Sequence, residues 1–93
     1  HVDYAPVIAY KWIASDKPFY EIAGFQLLAR LFANGQEPNE RGINEFLDQA
    51  AVALQGDNMG IKHAAANAVM RFCDFGEDFE KIAQGALKGI FEI

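Results

Sequence analysis

The chain has 93 residues, 52% of them hydrophobic with eight Phe and 23% charged, which excludes a disordered tail and bounds it to one domain. A chain this short buries about 60–65% of the surface its unfolded form exposes, so its core is thin. Thirteen Asp plus Glu against eight Lys plus Arg leave a net charge of −5, which disfavours sequence-independent attraction to a phosphate backbone and argues against nucleic acid as a partner.

Tyr4, Val7, Ile8, Lys11 and Trp12 recur at three- and four-residue spacings, which predicts a helix from near Pro6 to Ala14. Pro6 is tolerated there only in a first turn. Ser15-Asp16 stops that helix and caps a second, over about Pro18 to Ala33, whose first turn accommodates Pro18. Trp12 is the expected anchor between these two helices, and the tyrosines and phenylalanines at helical spacing read as core. Asn34-Gly35 ends the second helix, and the stretch 34–41, with Pro38, reads as a loop. Ile43, Phe46, Leu47, Ala50, Ala51 and Leu54 form one apolar stripe, which predicts a third helix from about Gly42 to Leu54. Asp57 is the expected cap of a fourth, from about Asn58 to Phe75. Its run Ala64-Ala65-Ala66-Asn67-Ala68 combines helix propensity with side chains small enough for close approach. Gly76 ends it, and acidic residues among Asp74, Glu77 and Asp78 suit the start of a fifth helix. No alternation of period two persists, so the expected fold is all-α with about five helices.

The longest hydrophobic stretch, Ile22 to Ala33, is broken by Gln26 and Arg30 and falls short of the roughly 20 residues that span a bilayer. No membrane association is expected. Cys73 stands alone, which leaves no intramolecular disulfide and no Cys-rich metal site, and points to a reducing, cytoplasmic setting. The chain opens on His1 without a basic and apolar leader, so His1 reads as a tag remnant or cut site of a longer repeat protein.

The sequence repeats itself. The segment 15–32 returns as 56–73, with Asp16 on Asp57, Ala23 on Ala64, Gln26 on Asn67, Arg30 on Arg71 and Leu31 on Phe72, a shift of 57 − 16 = 41 residues. The segment from Phe46 to Leu54 matches Phe79 to Leu87 at a shift of 79 − 46 = 33. The eight-residue difference corresponds to the loop 34–41 and its flanks. A helix, a two-residue Ser/Gly-Asp turn and a second helix opened by that Asp resemble a HEAT-like helical repeat over nearly the whole chain. The Val-Arg usual after the aspartate is replaced by Phe19-Tyr20-Glu21 and Gly60-Ile61-Lys62, so the subfamily is unassigned. The resemblance implies an α-solenoid: hairpin one over about 5–33, hairpin two over about 42–75 and a partial third unit over 77–93. A compact five-helix bundle is the alternative. The two differ in helix contacts, because a solenoid sets helix one against three and two against four.

In this family second helices line the concave face. At about 100° per residue, Phe19, Ala23, Gln26 and Arg30 share a strip of the second helix, and the shift of 41 carries it onto Gly60, Ala64, Asn67 and Arg71 of the fourth. Stacked amides and guanidiniums suit carboxylate or phosphate recognition, although the same residues also read as solvated helix edges. Gln26, Arg30, Asn67 and Arg71 are therefore the candidate binding residues. No catalytic residue, metal ligand or cofactor is implied. His63 and Cys73 lie about 80° apart around one helix and about 15 Å along it, which prevents a Cys-His pair. Asp74, Glu77, Asp78 and Glu80 lack the alternation of a calcium loop. The expected function is a non-enzymatic interaction module or scaffold for a protein or peptide partner, with self-association through the C-terminal segment Leu87 to Ile93. The alternative is a nucleic-acid module, since the resemblance extends to the HEAT-like DNA alkylation-repair glycosylases.

Overall fold

The computed structural model describes residues 5–15 and 17–90, with side chains from Ile8 onward, and these form five α-helices and no strand. The helices are α1 (Ala5–Ile13), α2 (Pro18–Ala33), α3 (Glu40–Gln55), α4 (Met59–Cys73) and α5 (Glu77–Ala86). The chain is all-α, and no helix is long and apolar enough to cross a membrane among the described residues.

The helix starts show how local chemistry moves a boundary. Asp57 does not cap α4. Asn58 does, its side-chain oxygen accepting from the Ile61 amide at 3.0 Å. Asn39 caps α3 in the same way, accepting from the Gly42 amide at 2.8 Å, so the helix begins at Glu40, inside the stretch expected as loop. Each cap satisfies an amide that has no intrahelical partner. At α2 the cap position is Lys17, which makes no side-chain cap bond; Pro18 opens the helix, and Ser15 Oγ accepts from the Lys17 amide at 3.4 Å. The cap expected from Asp16 lies outside the described residues. The fourth helix ends at Cys73, two residues early, where the amides of Phe75 and Gly76 bond the carbonyls of Phe72 and Cys73, three residues back instead of four. Gly76 follows with φ +150°, a conformation that L side chains rarely adopt, and releases the chain into α5. Glu77, Asp78 and Glu80 then fill its first turn, where negative charge meets the positive end of the helix dipole.

Gly24 decides how the first two helices meet. A Cβ on Gly24 would lie 2.6 Å from Ile13 Cγ1 and 2.7 Å from the Ala9 carbonyl oxygen, so α1 and α2 touch backbone to backbone. Trp12, the expected anchor, is only half-buried and meets Tyr20 at a ring separation of 6.3 Å beside this contact. The core itself is aromatic. Phe46 and Phe72 are completely buried, with centroids 5.4 Å apart, and Phe32 meets them at 5.1 and 6.0 Å. Phe79 closes the cluster against Phe72 at 5.2 Å. Edge-on contacts of this kind hold α2, α3, α4 and α5 around one centre.

The helices pair as α1 with α2, α3 with α4, α2 with α4, and α5 with both α3 and α4. α2 and α4 run parallel: Ile22 Cδ1 would lie 3.1 Å from a Cβ on Gly60 near their starts, and Phe32 meets Phe72 near their ends. α1 does not run along α3. The two meet where Tyr10 Oη donates to the Gly42 carbonyl at 3.0 Å. This pairing sets α2 and α4 side by side, with α1 against α2 and α3 and α5 against α4, in a molecule 19 Å through its shortest axis.

Candidate functional site

The expected strip can be located from the contacts of the helices that carry it. On α2 the side toward α4 holds Ile22, Phe25, Ala29 and Phe32, and Gly24 faces α1. Gln26 and Arg30 follow the α4-facing side in one rotational sense, away from α1. On α4 the stripe Gly60, Ala64, Ala68 and Phe72 faces α2, its first and last members meeting Ile22 and Phe32. Asn67 and Arg71 flank that stripe in the opposite rotational sense. For two parallel helices seen from each other, opposite senses put both strips on one face of the pair, away from α1, α3 and α5.

All four residues are exposed. Gln26, Arg30 and Asn67 make no side-chain hydrogen bond or ion pair among the described residues. Arg71 Nη1 lies 3.8 Å from Asp74 Oδ2, an exposed i,i+3 pair of the kind that contributes little. Apolar surface accompanies them: Phe19, at the start of the α2 strip, is 85% exposed, and Met59 and Met70, 72% and 66% exposed, lie with exposed His63 on the neighbouring stripe of α4. Sequence periodicity read the phenylalanines as core as a class, yet the helical projection also set Phe19 on the strip of Gln26 and Arg30, and there it is exposed. Its position just after Pro18 puts it in the first turn of α2, beyond the reach of α4.

The arrangement offers donors without an activated nucleophile. Burial first, then the carboxylates of Glu80 and Asp74, push the Cys73 thiol up, which holds it protonated. Burial and then Glu45 push the Tyr10 phenol up to about 12, and its hydrogen is committed to Gly42. Among the described residues no three His, Cys, Asp or Glu side chains converge as a metal site. Chemically the face can present two guanidiniums and two amides, with their roughly fourteen polar hydrogens framed by methionine and phenylalanine.

Neither a family model, nor a curated protein, nor a solved structure matches this chain.

Proposed function

We propose that the chain is a non-enzymatic interaction module, built as HEAT-like helical hairpins, that binds a protein partner across the shared face of α2 and α4. The observation that carries this reading is the parallel α2–α4 pair, which sets Gln26 and Arg30 beside Asn67 and Arg71 on one exposed face. Arg30 and Arg71 recognise carboxylates of an acidic segment through paired donors, Gln26 and Asn67 fix its register, and Phe19 and Met59 take its apolar side chains. Arg and aromatic or methionine surface is the composition that interfaces favour. Parallel second helices and the pairing of α3 with α5 support the repeat reading; the absence of a lengthwise α1–α3 contact marks where the first unit departs from the pattern.

The test is retention of partners from a native lysate by the immobilised chain and by a variant with Gln26, Arg30, Asn67 and Arg71 all changed to Ala. The proposal expects a defined set of proteins held by the first and lost by the second, with identical helical circular dichroism. Equal retention by both removes the face from the binding surface.

A further inference from the structure

α4 packs against α2 on one side and against α3 on a second. On a third, two residues round the helix from Ala64 and Ala68, the stripe Ala66, Val69, Met70 and Cys73 lines an open groove of about 640 Å³ against α5. α5 contributes Glu80, Ala83 and Gln84, and Leu87, its C-cap, continues the stripe by one turn. Both helices therefore present the same i, i+3, i+4, i+7 pattern, the seam pattern of packed helices. The helices are antiparallel, since Phe72 meets Phe79 at one end and Ala66 shares the groove with Leu87 at the other.

The rim of the groove is polar in a directional way. Asp74 and Glu80 stand at the end where α4 finishes and α5 begins. Lys88 stands at the opposite end, and Lys62 lies one turn before Ala66 on the same stripe of α4. A surface with acid at one end and base at the other complements itself when turned end over end. That is the requirement of a two-fold interface, in which the same patch serves both partners.

We infer that the α4–α5 groove is the docking surface for a second copy of this chain, turned so that Asp74 and Glu80 of each copy meet Lys62 and Lys88 of the other. Two α4–α5 pairs then close as an antiparallel four-helix bundle, in which Met70 of each copy enters the other's groove over Val69, Ala83 and Leu87, which the single chain already buries. Met70, 66% exposed in the single chain, becomes buried. This surface adjoins the arginine strip at the exposed Arg71–Asp74 pair, but Gln26, Arg30, Asn67 and Arg71 take no part in it, and neither reading depends on the other.

Sedimentation equilibrium of the 93-residue chain and two charge-reversed variants tests it. One variant carries Asp74→Lys with Glu80→Lys, the other Lys62→Glu with Lys88→Glu. The chain itself is expected to be a dimer, and each variant alone to dimerise at least about tenfold more weakly, because like charges now meet across the interface. Mixed one to one, the variants are expected to regain the dimer, since one rim has become wholly basic and the other wholly acidic. A third variant, Met70→Glu, changes an exposed residue, leaves the fold intact and is expected to be monomeric. A chain that stays monomeric at all concentrations overturns the inference. So does a dimer indifferent to both reversals, or a mixture that fails to associate while both variants keep full helical circular dichroism.

Discussion

Tyr10 donates its phenolic hydrogen to the carbonyl of Gly42 at 3.0 Å, and this one bond links α1 to the first turn of α3 across 32 residues. The phenol is half-buried, and its pKa is pushed up to about 12 by burial and by Glu45. In the unfolded chain a tyrosine titrates near 10. Between pH 10 and 12 the folded chain keeps this proton while the unfolded chain loses it, so unfolding releases a proton and becomes easier as pH rises. The stability is complete below pH 10 and is lost through pH 12, by about 1–2 kcal/mol after solvent screening. Tyr10→Phe removes the bond, costs about 0.5–1.5 kcal/mol at neutral pH and flattens this alkaline loss. Melting curves of both proteins from pH 8 to 12 check it; parallel curves would refute it.

Gly24→Ala is expected to destabilise the fold, against the gain of about 1 kcal/mol that Ala brings to a helix interior. The new methyl group meets Ile13 Cγ1 and the Ala9 carbonyl oxygen well inside contact distance, and the backbone of α1 has to give way. A net loss of about 1–3 kcal/mol follows from such overpacking. Urea denaturation measures it, and an unchanged or raised midpoint would show that α1 moves freely.

The two asparagine caps act on different helices. Asn39→Ala and Asn58→Ala are each expected to cost about 1 kcal/mol, and the double variant about the sum, because the sites share no partner. Asp57→Ala, at the residue that resembles the family's aspartate, is expected to change little, as Asn58 holds the cap. Thermal midpoints of the four proteins distinguish these cases.

Phe72→Ala opens the aromatic centre. Phe72 is fully buried and touches Phe32, Phe46 and Phe79, so its loss is expected to cost about 3–5 kcal/mol. For a domain whose whole stability is about 5–15 kcal/mol, this is enough to leave a loosened core that binds a hydrophobic dye.

Changing Gln26, Arg30, Asn67 and Arg71 together to Ala is expected to shift stability by less than about 1 kcal/mol, since all four are exposed and the Arg71–Asp74 pair is weak. The same variant also addresses nucleic acid. A salt-dependent mobility shift of labelled duplex that disappears with Arg30 and Arg71 would move the partner of this face from protein to DNA.

Helix number and the extent of α2 were legible because apolar spacing and the Pro18 and Asn34-Gly35 signals agree with each other. The start of α3 was not, because Pro38 reads as a loop until Asn39 is seen to cap Gly42. Gly24 sat in a run of good helix formers, and only the approach of Ala9 and Ile13 shows why a side chain is missing there. An isolated glycine within a helical pattern was the available signal. For the candidate face, the exposure of Gln26, Arg30, Asn67 and Arg71 followed from their polarity. Phe19 was legible as a member of that strip, but the exposure of Met70 was not, since periodicity cannot distinguish a core stripe from an apolar edge that no neighbour covers. The expectation about residues 91–93 in self-association lies outside the described residues.

Two helices that point the same way need a return path between them, and α3 provides it. Its 16 residues span about 24 Å, close to the length of its neighbours, and this match brings Gly60 level with Ile22 while Phe72 arrives level with Phe32. α3 thus acts as a ruler. Shortening it by one turn would slide α4 about 5 Å along α2, and the aromatic centre and the row of arginines would fall out of step together.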